Sequence, residues 1–390
     1  MVPLPFLSVS LPHAPEAWAA SGGMALTGDP GSPPLAPPAP IANVLTATGI
    51  SDAAALVGER GRARRGSISA GGATRLLPCA DGWLVVALPR PSDLDAVPAW
   101  LGVHAAWDAV ARACLGRTAA EAVETACLLE IPAAQVASLP AAASPWAITA
   151  GPPGDPVDRP LLVVDLSTLW AGPLCGDLLE RAGALVVKVE DPRRPDGARR
   201  GSVPFFDLLN GAKRSVAMDI RSDAFRALLR RADVVVSSAR PRAFEQLGID
   251  PRQVLQESPT VWVAITAYGW SGPDRNRVGF GDDVAAAAGL VTWNGSGPRF
   301  VADAVADPLC GALAAYAAQA CLASGGSWLV DASLAAAASY AAALAPDDVT
   351  HVAASEEWFR EGVPVAAPRV RDPRGRAPAL GVDTADFLGR

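Results

Sequence analysis

Carboxylates supply most of the side chains in this sequence that could do chemistry. Asp303 and Asp307 share the stretch Ala302-Asp303-Ala304-Val305-Ala306-Asp307-Pro308, and Asp282 and Asp283 are adjacent after Gly281. An aspartate just before a proline and an apolar helix is by default an N-cap for orphan amides. The same position lies in a helix-terminal field that suits a nucleophile which must stay ionised. Spacing leaves both readings open. Metal chemistry has little to work with: His13, His104 and His351 are far apart, and Cys79, Cys114, Cys127, Cys175, Cys310 and Cys321 show no CxxC spacing. No metal site is expected, and the thiols read as free cytosolic cysteines. A second kind of site is suggested by Ala171-Gly172-Pro173, which joins an apolar run to a helical one. Amides at such a turn can face a pyrophosphate, although a plain packing turn looks the same. No GxGxxG is present, which disfavours ordinary NAD binding.

The elements that must position these groups fall into four stretches. Residues 1–60 are rich in Pro, Gly and Ala; Ala17 to Gly28 is their most structured-looking piece, and Pro33-Pro34 and Pro37-Pro38 mark an extended connection. Residues 61–155 read as a small α+β domain. Thr74 to Cys79 and Trp83 to Leu88 make a hairpin about Asp81-Gly82, and Thr118 with Glu121 makes a capping box. From 156 to 345, wholly apolar strands alternate with helices: Leu161–Leu166, Ala184–Val189, Ser215–Asp219, Val234–Val236 and Val261–Ala267. That pattern predicts a parallel sheet covered on both faces, a Rossmann-like α/β fold. Residues 346–390 read as an extended tail. The echo of Ala19-Ala20-Ser21-Gly22-Gly23 in Ala287-Ala288-Gly289-Leu290 is too weak to count as a repeat.

Composition narrows the function. Half the residues are hydrophobic and 19% charged, with a net charge of −7, which argues against a nucleic-acid binder. The first basic residue is Arg60, so the charged start of a signal peptide is missing. The Ala-rich stretches after Gly311 and Leu334 are interrupted and predict helices in a soluble core, not membrane spans. A cytoplasmic enzyme is expected. Of 33 basic residues only Lys188 and Lys213 are lysine, and both fall in the α/β half.

The run VVDLSTLWAGPLCGDLLERAGALVVKVEDP (163–192), with NGAKRSVAMDI (210–220), ADVVVSSARPRAFEQLGID (232–250) and VWVAITAYGWSGP (261–273), resembles the family III CoA-transferases, the CaiB–BaiF family. SGGSWLVDASL (324–334) and APALGVDTADFL (377–388) resemble further family segments, and the unit from RLLPCADGWLVVALP (75–89) resembles the family's small domain. That domain follows the Rossmann half in the family and precedes it here. The resemblance implies CoA transfer between an acyl-CoA and a carboxylic acid, with coenzyme A as substrate and product, no metal, and a homodimer. It also implies a catalytic aspartate in a D-x-x-T/S-G pattern, which Asp307-Pro308-Leu309-Cys310-Gly311 matches. Carried over motif by motif, the CoA contacts would be Leu169 and Trp170; Asn210, Gly211, Ala212 and Lys213; Ser238, Ala239 and Arg240; and Thr266, Ala267, Tyr268 and Gly269. Asp191 and Gln246 stand where the formyl-CoA enzyme has arginines. The racemases of the family pair a His with an Asp. GFGDDVAAAAGL (279–290) has no His, so proton transfer of that kind would fall to Asp282 or Asp283. An α-carbon isomerase and a non-catalytic CoA binder are the alternatives.

Overall fold

A computed structural model describes residues 15–37, 39–49, 57–344 and 364–387. His13, Pro38, His351 and the first part of the expected tail, 346–363, lie outside the described residues. Among the described residues there are twelve strands: β1 (Thr74–Pro78), β2 (Trp83–Ala87), β3 (Ala133–Gln135), β4 (Trp146–Ala150), β5 (Leu162–Leu166), β6 (Leu185–Glu190), β7 (Arg214–Ala217), β8 (Val234–Ser237), β9 (Val261–Thr266), β10 (Val291–Asn294), β11 (Gly297–Phe300) and β12 (Trp328–Ser333).

The main sheet has seven strands in the order β4-β12-β9-β8-β5-β6-β7. Every neighbouring pair is parallel except β12 with β4, which is antiparallel. The inner strands are apolar on both faces because helices cover both, so their sequence runs Val-Val or Val-Val-Val without alternation. From β5 the chain winds outward through β6 and β7, then returns to β8 and winds the other way through β9 and β12. The reversal lies between β5 and β8, where an open α/β sheet leaves a crevice at its strand C-termini. The edge strand β4 comes from the stretch read as part of the small unit. Nothing local marks that pairing.

Helix Ala306–Ser324 is buried on nearly every side, which explains its uniformly apolar composition without a membrane. Among the described residues, no helix is long and apolar enough to cross one. It packs against helix Ala171–Arg181 at very short range. A Cβ on Gly311 would lie 2.5 Å from the Ala171 carbonyl oxygen, so only glycine permits this crossing. Residues near the start of the chain join the same core: Trp18, Ile41, Val44 and Leu45 are buried with Val163, Val234 and Leu309.

The smaller sheet, β1-β2-β3, is antiparallel and packs on helices Pro91–Leu101, Trp107–Leu115 and Ala119–Leu128. The expected hairpin is present, and Thr118 and Glu121 exchange side-chain and backbone hydrogen bonds as a capping box. This unit sits on the main body through Leu76, Val85 and Ala134, which share a cluster with Ala286, Ala287 and Phe300. Glu130 adds ion pairs to Arg240 and Arg242.

Both lysines are interior. Lys213 Nζ donates to Asp165 Oδ2 at 2.7 Å, to the Pro173 carbonyl at 2.8 Å and to Asn210 Oδ1 at 3.0 Å, using all three of its donors. Lys188 Nζ donates to the Ser167 carbonyl at 2.8 Å and pairs with Asp196 at 2.9 Å. Burial works against charge on Asp165, but Lys213 and Lys188 outweigh it and hold its carboxyl below the usual range. Removing one partner of a buried pair strands the other, at a cost of about 3–5 kcal/mol. Lys213→Met should therefore lower the urea unfolding free energy by about that amount. A loss within about 1 kcal/mol, the range of an exposed pair, would contradict this account.

Candidate functional site

The loop after β5 is shaped by the lysine network. Asp165 Oδ1 accepts the Ser167 amide at 2.9 Å, and Asp196 Oδ1 accepts the Leu169 amide at 3.1 Å. Leu169 is held at φ 67°, a left-handed conformation costly for a residue with a Cβ. The Thr168 amide donates to the Ser238 hydroxyl across the β5–β8 crevice at 2.9 Å. This loop delivers the first turn of helix Ala171–Arg181 to the start of helix Ala306–Ser324.

Asp307 lies there, in the first turn of helix Ala306–Ser324, but it is not that helix's N-cap. Val305 holds the cap position, and the amides of Gly281 and Ala171, from two other elements, face the Asp307 carboxylate. A Cβ on Gly281 would run into Asp307 Oδ2 and the Ala304 carbonyl, so glycine is required for that approach. Asp307 is half-buried in a crowd of like charges. Desolvation, then the neighbouring Asp282, push its carboxyl up to about 7 against the pull of the two amides. Asp282 is likewise pushed up to about 7, by burial and by Asp303. Asp282 accepts the Ala304 amide at 3.0 Å and the Thr74 hydroxyl at 3.3 Å, and the Ser69 hydroxyl faces it. Asp303 is raised by burial and restrained by Arg62, whose Nε stands 3.5 Å away; it also accepts the Gly58 amide at 3.2 Å. Ala302 and Ala304, flanking Asp303, have φ 54° and 45°. Non-glycine residues in that region cost about 1–3 kcal/mol each and persist where surrounding structure holds them.

The structure gathers Asp282, Asp303 and Asp307 into one acidic cluster. Asp283 begins the same helix, Gly281–Ala287, but points elsewhere, accepting the Phe280 amide at 2.7 Å. Leu169, Trp170, Ser238, Ala239 and Arg240 meet at the C-terminal ends of β5 and β8, with Thr266, Ala267, Tyr268 and Gly269 beyond β9. Arg240 is engaged by Glu130 and by the Asn276 carbonyl. Asn210 and Lys213 are not at that rim; both are buried in the lysine network, with Gly211 and Ala212 in the short turn that joins them just before β7. Asp191 pairs with Arg193 at 2.6 Å. Gly58, Arg62, Ser69 and Thr74 are site neighbours that sequence reasoning misses. They meet the cluster across more than half the chain, and only Thr74, at the head of a strand, carries any local signal. Among the described residues, no three His, Cys, Asp or Glu side chains converge as metal ligands would.

Comparison with known proteins bears on the family. The model of CoA-transferase family III matches residues 160–365. The chain is 29% identical over 181 residues to a succinyl-CoA–D-citramalate CoA-transferase of Chloroflexus aurantiacus, covering 43% of this chain and 45% of that protein. It is also 29% identical over 181 residues to a succinate–glutarate CoA-transferase of Agrobacterium fabrum, covering 41% and 45%. The chain thus spans about half the length of these curated relatives. A crystal structure of a Mycobacterium tuberculosis protein aligns at 30% identity with a TM-score of 0.43, covering 47% of this chain and 56% of that one. The match to the family model takes in every strand of the seven-stranded sheet except β4, together with the whole acidic cluster. On that ground the chain belongs to CoA-transferase family III.

Proposed function

We propose that the protein transfers CoA between an acyl-CoA and a carboxylic acid through an aspartyl-CoA intermediate on Asp307. The observation that carries this reading is the Asp307 carboxylate, set in the first turn of its helix and faced by the Gly281 and Ala171 amides at the edge of the β5–β8 crevice. The Asp307 carboxylate attacks the thioester carbonyl, breaking the C–S bond and releasing CoA thiolate, and an acyl-aspartyl anhydride forms. The thiolate then attacks the aspartyl carbonyl and expels the donor acid, leaving Asp307 as a CoA thioester. The acceptor carboxylate repeats the two steps in reverse. During attack on the aspartyl carbonyl its oxygen gains negative charge, and the two amides already aimed at Asp307 are placed to receive it. CoA would lie along the crevice past Leu169, Trp170, Ser238 and Thr266. The chemical names of the two curated relatives, both acting on dicarboxylic acids, agree with a carboxylic acid acceptor. A homodimer in the cytoplasm belongs to the same proposal and is carried by the family resemblance alone.

A carboxylate beside Asp307 also suits proton transfer at an α-carbon, with Asp282 as the second base. The two reactions separate cleanly. Asp307→Asn should keep the fold, because the amide retains an acceptor for the two N–H groups, and should abolish CoA exchange. Hydroxylamine added during turnover should trap a hydroxamate on the peptide that contains Asp307. Full exchange by the Asn variant would sink the assignment, whereas deuterium entering the α-position without an adduct would favour the isomerase.

The raised carboxyl of Asp307 sets a pH dependence. The attacking form is the carboxylate, so kcat/KM should rise with pH through about 7. The charge on Asp282 helps hold Asp307 protonated. Asp282→Asn removes it, and the rising limb should move to lower pH. A limb that stays in place, or moves up, would show that Asp282 does not govern the nucleophile.

A further inference from the structure

Beyond β9, on the other side of Phe280 from Asp307, three polar side chains meet without satisfying one another. Tyr268 lays its ring against Arg277, whose guanidinium carbon stands 4.3 Å from the ring centroid. Arg277 is anchored to the small unit by a hydrogen bond to the Ala133 carbonyl. Asp283 spends Oδ1 on the Phe280 amide. The remaining atoms, Tyr268 Oη, Arg277 Nε and Asp283 Oδ2, are buried and have no hydrogen-bond partner. Each such orphan costs about 1–3 kcal/mol, and a native fold carries few of them. A group of them is kept where something other than stability selects it.

The location is pointed. Gly279 packs on Tyr268 and Val284, Phe280 caps Asp283, and Gly281 backs Asp307, so one short segment has the orphan cluster on one side and the acidic cluster on the other. Tyr268 and residues 275–280 are half-exposed along this segment, so two of the three orphan atoms, themselves buried, belong to residues that border solvent.

We propose that Tyr268, Arg277 and Asp283 form a subsite for a carboxylate oxygen of the acid substrate. It rests on the transferase reading of Asp307 and names where the acid is held. A phenol O–H and a guanidinium N–H are donors, so their common ligand must present an acceptor, and the guanidinium charge favours an anion. Asp283 would repel an anion if ionised. Burial instead pushes its carboxyl up to about 8, so near neutral pH it carries a proton and adds a third donor.

The test reads binding without turnover. Acetate, succinate and glutarate are titrated by calorimetry into the wild type and into Tyr268→Phe, with CoA titrated in parallel and melting temperature recorded. Loss of one hydrogen bond to a charged ligand should weaken acid binding by about tenfold or more. CoA affinity should hold, which would take Tyr268 out of the CoA contacts implied by the family resemblance, and the melting temperature should stay or rise, since the variant deletes an unsatisfied hydroxyl. Unchanged acid affinity with a lowered melting temperature would make Tyr268 structural and overturn the subsite. So would weakened CoA binding with the acids unaffected, which would place a phosphate there, or failure of the wild type to bind any of the three acids. Asp307→Asn should still bind the acid. A failure of covalent catalysis and a failure of the subsite are therefore separate results.

Discussion

Two buried ammonium groups organise the α/β half. Lys188 and Lys213 sit beneath the loop that follows β5, and between them they grip a carbonyl in that loop, a carbonyl in the next helix and two carboxylates. Each charge is expensive to bury, so the arrangement is stable only when every partner is in place. That requirement fixes the path from Asp165 to Ala171. It forces Leu169 into a left-handed turn and sets the angle at which the first amides of helix Ala171–Arg181 leave the loop. The Asp307 carboxylate faces one of those amides. The proposed nucleophile is thus backed by an ion-pair network it never touches.

Electrostatics at the crevice runs the opposite way. Where the lysine network pairs every charge, the acidic cluster crowds Asp282, Asp303 and Asp307 together with only Arg62 in reach of one of them. Like charges in a dry setting raise one another's proton affinity, and this is how a carboxyl comes to titrate near neutrality. Holding the crowd together falls to parts of the chain far from it: Gly58, Ser69 and Thr74 supply donors, and strained backbone at Ala302 and Ala304 aims the carboxylates.

Much of the large sheet was legible because its strands are buried on both faces, which writes unbroken apolar runs into the sequence. Val163 to Leu166, Val186 to Val189 and Val261 to Thr266 need no tertiary information to be found. Asp307 was singled out only through family resemblance; bottom-up spacing could not tell it from a helix cap, and in the structure Val305 holds the cap position instead. Lys213 shows the opposite limit. A lysine near a ligand-binding motif reads as a phosphate contact, and nothing local reveals that three interior acceptors already hold it. The edge strand β4 and the Gly58–Thr74 contribution escape for a related reason, since both are decided by which distant surface the segment meets.

The end of the chain has a consequence of its own. A parallel sheet finishing on β7 would display a row of unpaired amides, the usual template for strand-to-strand association between molecules. Asp383 accepts the Ser215 amide at 2.8 Å, Thr384 accepts the Ala217 amide at 3.0 Å, and the Asp383 amide donates back to the Ser215 carbonyl at 3.0 Å. Two side chains and one peptide group therefore imitate a neighbouring strand without being one. Because these residues follow their β7 partners by 168 and 167 positions, the edge stays open until they have been made and have docked. Displacing Asp383 and Thr384 would return β7 to a bare edge open to strand pairing.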